Sequence, residues 1–478
     1  MSTPKCTWIL GLGASAMIAG AAVVACSNDS VADRRAGFES PDAGVDAVAG
    51  GMDAAVDAGA GADAGEERGP FDPTDEAVVC AGTEPCAKQL VAGANHFCAL
   101  MNDGTVRCWG DDEYGALGGG LPPKDPKGPS PDAGATKGVD GLAGATQISA
   151  ARSTTCARAN DGSVYCWGSN SQGQLGLDDV TPSWDEDRHP TALQVAVREP
   201  VLRVDVGAHD VCAVLATGKV TCWGTNEQAQ LARPGAELTY VLGPALASLE
   251  PFAIAKTSLG STTGLALTTG GEVVSWGEVA GKDGFIGGRM TSINPDVAPN
   301  AIAQLKNVTS LATTMSRDRA GGGGGFPPPP RVKLAHACAI ANGEVYCWGR
   351  SDVGALCTGM PDEEILPAHA PVKGKAWPQQ IAVGDEITCV RMTDGSIQCC
   401  GGEASGRLGT GQTDPFSAFL KPIASFASHA VQVAASDRAV CVLVQGGSVE
   451  CWGGNSFGEL GTGARDDDPH PTPVKVVF

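Results

Sequence analysis

Thiols are the reactive groups that recur at fixed spacing in this 478-residue chain. Cys98 and Cys108, Cys156 and Cys166, Cys212 and Cys222, Cys389 and Cys399, and Cys441 and Cys451 are ten residues apart, and Cys338 and Cys347 are nine. Paired thiols either oxidise to a disulfide or hold a metal. A structural zinc site needs four converging ligands. Each copy offers two, and His96 and His336 flank only some of the pairs. Disulfides are therefore expected, with no metal or other cofactor.

The residues between the thiols show what must hold them together. Cys98, Leu100, Val106 and Cys108 alternate along the chain and so share one face of a hairpin. In six copies the middle is a three-residue loop ending in Gly, as in Asn102-Asp103-Gly104 or Gln445-Gly446-Gly447. That pattern predicts a type I turn closed by a left-handed Gly. The copy with the shorter spacing has Asn342-Gly343, a two-residue type I′ turn, which restores the same facing pair. Both turns put the sulfurs across a pair without ladder hydrogen bonds, with Cα atoms about 4.5 to 5.5 Å apart. A seventh copy carries Leu265 and Ser275 instead, both cysteines lost together, as befits one chemical unit.

The N-terminus reads as an export signal. Lys5 precedes an apolar run from Trp8 to Val24, and Val23-Val24-Ala25-Cys26 resembles the lipobox of bacterial lipoproteins. That resemblance implies cleavage before Cys26, lipid on Cys26, and, from Ser27, sorting to the outer membrane. Residues 26–77 are rich in Ala, Gly and Asp and predict a disordered acidic tether, which carries about half of the net charge of -21. The domains expected are a lipoprotein signal at 1–25, the tether at 26–77 and a folded part at 78–478. No basic stripe is present, which argues against nucleic-acid binding.

Four of the 18 cysteines remain after the signal, the lipid and the hairpins are accounted for. Cys80 and Cys86 are near enough to clip the start of the folded part. Cys357 stands where other copies have the Gly of Leu117-Gly118, and Cys400 stands where others have Trp. Their joint departure points to one bond between adjacent units, although sequence alone leaves the connectivity open.

Seven copies at about 50 to 60 residues describe one stacked or closed object, because no unit buries its apolar face alone. Each hairpin leads into Trp-Gly-x-Asn-x-x-Gly-Gln-Leu-Gly, best seen from Trp167 to Gly176. Here the chain resembles the regulator of chromosome condensation family over about residues 88 to 478. The resemblance implies an all-β, seven-bladed β-propeller. A Pro-containing strand such as Lys421-Pro422-Ile423 precedes later hairpins but not the first, and the chain ends Pro471-Thr472-Pro473-Val474. The C-terminal strand is therefore expected to complete the first blade and close the ring. Stretches 122–140, 178–189 and 317–330 read as insertions rich in Gly and Pro.

No catalytic constellation is legible. Gly454-Asn455-Ser456-Phe457-Gly458 matches a nucleophile elbow but falls inside the repeat's own Trp-Gly-x-Asn segment. His96, His209 and His336 read as hydrogen-bonded structural residues, and Asp111-Asp112-Glu113 and Asp466-Asp467-Asp468 as solvated acidic turns. The expected function is a non-catalytic, lipid-anchored monomer that binds a protein or cell-envelope ligand. The resemblance implies two alternatives: a guanine-nucleotide exchange regulator, and an enzyme inhibitor like the secreted propeller of this type that inhibits β-lactamase.

Overall fold

The computed structural model describes residues 68–80, 82, 85–120, 135–177, 184–233, 240–279, 286–314, 317–319, 332–359, 363–411 and 415–478. The export signal, Cys26 and most of the tether lie outside these residues, as do most of the three expected insertions. The described chain forms seven antiparallel sheets. Each is a meander built from one contiguous stretch: residues 87–138, 145–195, 201–246, 254–301, 308–369, 378–422 and 430–475. These are the blades of a propeller, numbered one to seven in chain order. Blade five carries an extra strand, Arg317–Arg319, paired with the start of Val332–Ala341.

The turn chemistry sets the register of every central hairpin. Gly104, Gly162, Gly218, Gly271, Gly395 and Gly447 all have φ between 75° and 84°, the left-handed region that a side chain would strain. In blade five Asn342 and Gly343 take φ of 53° and 77°, the type I′ pattern. Both turns bring the two cysteines directly opposite, as in Cys98↔Cys108 and Cys338↔Cys347. The six hairpin disulfides join Cα atoms 4.1 Å apart, closer than an unbridged pair needs. In blade four the same register faces Leu265 with Ser275. There Arg289 donates from Nε to the Ser275 hydroxyl (2.9 Å) and from Nη1 to Asp296 (2.9 Å), tying the third strand to the fourth with hydrogen bonds.

The apolar core is divided among the blade interfaces. Seven buried clusters each span two neighbouring blades; Cys156, Val164 and Leu175 of blade two, for instance, pack with Val204, Val211 and Trp223 of blade three. A single indole crosses six of these interfaces and donates to a carbonyl of the preceding blade's loop. The pairs are Trp109 to Glu459 (2.9 Å), Trp167 to Ala116 (2.9 Å), Trp223 to Gln174 (2.9 Å), Trp276 to Gln230 (2.6 Å), Trp348 to Ile286 (2.7 Å) and Trp452 to Arg407 (3.0 Å). At the seventh interface, between blades five and six, Cys400 occupies the Trp position and is bonded to Cys357, with Cα atoms 5.6 Å apart. The disulfide thus stands in for the indole.

The ring does not close through a shared blade. The C-terminal strand, Asp466–Lys475, pairs with Val449–Asn455 of its own blade seven, and blade one supplies its own inner strand, Ala87–Ala92. The Pro-containing strands are the outer strands of the preceding blades, as Phe416–Pro422 is of blade six, so a missing Pro before the first hairpin does not mark a missing inner strand. Side chains seal the junction: Val476 packs into the cluster shared by blades seven and one, and Phe478 meets the Trp109 ring edge-on at 5.7 Å. The second insertion is also shorter than expected, since Asp185–Val195 is the outer strand of blade two.

The folded part begins earlier than residue 78. Residues 68–80 run as a strap along the ring face that carries the central hairpin turns. Arg68 pairs with Glu344 of blade five (2.9 Å) and lies 4.8 Å over the Trp377 ring. Gln379 donates to the Thr74 carbonyl (2.6 Å), and the buried Arg391 of blade six pairs with Asp75 (2.9 Å). His429 of blade seven meets Glu76 at 2.7 Å, and Val79 donates to Gln445 (2.8 Å). Cys80 is bonded to Cys86, just before the first strand.

Candidate binding channel

The inner strands of the seven blades surround a central cavity of about 980 Å³. One position of each inner strand points along the junction with the next blade: Gln89, Gln147, Arg203, Lys256, Ser310, Gln380 and Gln432. Gln89 accepts from Ile148 N and donates to Ile148 O, both at 2.9 Å, and Gln147 holds Val204 the same way at 2.9 and 2.8 Å. Gln380 accepts from Val433 N (2.9 Å), Gln432 from Leu90 N (2.9 Å) and Ser310 from Ile381 N (3.1 Å). Between blades three and four Asp205 takes the acceptor's role, bonded to Thr257 N (2.9 Å) and steadied by Arg203 (2.7 Å). Lys256 completes the ring by donating to Leu311 O (3.0 Å). Each junction is therefore clasped through an inner-strand side chain. This set lies outside the thiol repeat, yet it carries a signal in the sequence: all four glutamines stand nine residues before a repeat cysteine.

The cavity opens toward the face opposite the strap, where its lining includes Asn95, Glu113, Ser171, His209 and Asp437. The expected insertions spring from that face. Charged groups near this mouth are partly withdrawn from water. Burial pushes Asp437 up to about 7, with Asp385 adding repulsion, and pushes Glu459 up to about 7. Asp112, expected on a solvated turn, is buried; it accepts from Leu117 N (3.1 Å) and contacts Arg188 at 3.3 Å. It fills the loop-closing place that Asn170, Asn226 and Asn455 hold in other blades, where each accepts from the backbone N–H of a loop Leu. Asp466 differs again, accepting from Asn455 (2.8 Å) and His470 (2.7 Å), as Asp185 does from Asn170 and His189.

The remaining candidates are brought to structural rather than reactive positions. The Ser456 hydroxyl accepts from Arg438 (2.9 Å) within the blade-seven loop. His96 and His336 are buried and meet Thr155 (2.9 Å) and Thr388 (2.8 Å) of the next blade. His209 contacts Arg152 at 3.0 Å on the channel wall. Among the described residues no group of three His, Cys, Asp or Glu side chains is placed to hold a metal.

Burial lowers both His96 and His336 to about 4, from 6.5 when exposed. Each stays neutral in the fold while the unfolded chain takes up a proton, so its contribution to stability is complete above pH 6.5 and is lost as pH falls toward 4. The raised acids Asp437 and Glu459 act with opposite sign, binding protons in the fold between about 7 and 4, so one histidine must be isolated by difference. Between pH 7.5 and 5, wild type should lose roughly 2 kcal/mol more denaturant stability than H336Q. Equal losses in the two proteins would contradict the burial argument.

The sequence profile described as the regulator of chromosome condensation (RCC1) repeat matches residues 87–116 and 145–174, and a second profile of the same description matches 161–214. The chain carries RCC1 repeats. The RCC1 match spans the inner strand, the disulfide hairpin and the Trp-Gly loop, the three parts that make the clasps and the indole ties. Over 336 residues the chain is 25% identical to the ultraviolet-B receptor UVR8 of Arabidopsis thaliana, covering 69% of each. It is 27% identical over 327 residues to the human E3 ubiquitin-protein ligase HERC2, of which it spans 6% while 67% of this chain is covered. Among solved structures, yeast RCC1 (Prp20), in its complex with Kap60, shares the fold with a TM-score of 0.63 at 16% identity, covering 87% of this chain and 90% of that one. Human WBSCR16 does so with a TM-score of 0.56 at 15% identity, covering 74% and 85%.

Proposed function

We propose that this RCC1-type propeller is an exported, lipid-anchored and non-catalytic module that binds a protein or cell-envelope ligand through the insertion-bearing mouth of its channel. The observation that carries the reading is the asymmetry of the two faces. The strap lies along the turn face across blades five to seven, whereas the cavity is lined at the other face by polar side chains such as Asn95, Ser171 and His209. Rigid scaffolds of this kind place recognition on loops. Eight disulfides among the described residues support an oxidising location, and the lipobox-like Val23-Val24-Ala25-Cys26 supports the anchor.

Two measurements test it. Mass spectrometry of the mature N-terminus should find acylated Cys26, and C26A should leave the membrane fraction. Cross-linking in intact envelopes should capture one reproducible partner that S171W, at the channel mouth, loses and that K219E, on the turn face, keeps. Equal capture by both variants, or the same proteins captured by an unrelated lipoprotein, would defeat the reading.

A further inference from the structure

Lys256 is a cation of the channel wall that makes no ion pair among the described residues; Arg152, nearer the mouth, contacts His209. Arg203, one blade away, is paired with Asp205 at 2.7 Å. Gln89 and Gln147 spend both ends of their amides on the next blade. The Lys256 ammonium has one hydrogen-bond partner among the described residues, the Leu311 carbonyl at 3.0 Å. An ammonium carries three N–H donors, so two have no acceptor among the described residues, and Lys256 lines the cavity. We propose that the channel is a carboxylate-binding site in which Lys256 receives the carboxylate of a peptide or small organic acid entering from the insertion-bearing face.

Three observations fix this chemistry and direction. The lining joins Lys256 to Asn95, Ser171 and His209 at that face, so the ammonium can be reached from there. A cavity of about 980 Å³ is large enough for several linked residues and not only for a bare ion. The mouth mixes Glu113, Asp385 and Asp437 with Arg152 and Lys333, so a polyanion would meet like charge before it reached the Lys256 ammonium. One carboxylate satisfies Lys256 with charge-assisted bonds and adds no surplus negative charge. Burial, with Arg203 adding repulsion, lowers Lys256 to about 8, while Asp205 and the strap's Asp75 oppose the shift. A carboxylate arriving at the ammonium would oppose it further.

The inference rests on the preceding section only for the face of entry, and the two can fail separately, since capture of a partner by the loops is compatible with an empty channel. Calorimetric titration of the oxidised full-length protein would use N-acetyl-Ala-Ala-Ala as free acid, the same peptide as its C-terminal amide, N-acetyl-Ala-Asp-Ala amide, acetate and inorganic phosphate. The free acid is expected to bind at least roughly tenfold more tightly than its amide, and K256M is expected to lose that margin; because K256M also gives up the clasp to Leu311, its melting is measured alongside. Binding of the Asp peptide would assign a side-chain carboxylate as the source, and binding of acetate alone a free acid. Raising the pH from 7 to 9.5 should weaken the interaction in wild type and not in K256M. Equal affinity for acid and amide, tighter binding of phosphate, or an unchanged margin in K256M would each overturn the assignment. If K256M melts early, K256R, which keeps the charge, must retain the preference for the acid.

Discussion

Reduced protein should show no cooperative unfolding transition at all. Each hairpin bond closes a loop of sequence separation nine or ten, and the bond between blades five and six one of 43. In the chain-entropy account a loop of the shorter kind contributes roughly 3 kcal/mol and the longer about 4. Six hairpins alone then sum to about 16 kcal/mol, above the upper end of a typical domain's whole stability. The cysteines are almost fully buried, so reductant reaches them only after opening. The experiment is refolding from guanidinium with and without reductant, followed by tryptophan fluorescence. The indoles of Trp109, Trp167, Trp223, Trp276, Trp348 and Trp452 are all buried, so they report on closure of the ring. Coincident transitions in the two conditions would show that the hairpins and interfaces suffice without the bonds.

The second large effect concerns the interface where the indole is replaced. A Cβ built on Gly118, Gly176, Gly288, Gly409 or Gly461 would lie 2.7–3.1 Å from the neighbouring Trp ring nitrogen, so Gly and Trp occupy these places jointly. Ala232 is the informative exception. It carries a Cβ at φ 51°, and Trp276 is accommodated by packing over Gly264, where other blades have a side chain. Blade six has no such relief, because Thr388 stands at the matching place and is engaged by His336. C400W should therefore cost roughly 3–7 kcal/mol, from the lost bond together with overpacking against Cys357. C357G/C400W should be more stable than C357A/C400W by about 1–3 kcal/mol, since removing the Cβ opens the indole's place. Comparison of C357A/C400A with C357G/C400A subtracts the strain of a side chain at φ 58°. A cycle that closes with no residual coupling would remove the steric argument.

What was legible in the sequence was whatever repeats with a distinctive residue. The disulfide hairpins, the turn types and the RCC1 resemblance rest on Cys, Gly and Trp at fixed offsets, and the odd pair Cys357 and Cys400 stood out because it broke two offsets at once. The clasps around the channel recur too, but through Gln, Asp, Lys and Ser, so only the four glutamines share an offset from a cysteine, and they act through hydrogen bonds to the neighbouring blade. Asp112 was misread because a run of acids suggests solvent, whereas here it closes a loop as Asn does elsewhere. The strap from Arg68 to Cys80 resembles its tether in composition, and only the partners it finds on blades five to seven distinguish it.

Because every sheet is complete within its own stretch of chain, no strand is borrowed across the first and last units. A recombination event that duplicates or deletes one such stretch leaves no half-built sheet behind, and the newcomer needs only to present an amide toward one neighbour and an indole toward the other. Copy number in such a lineage is then governed by the wedge angle at which the circle meets itself, and internal duplication is an open route for this gene.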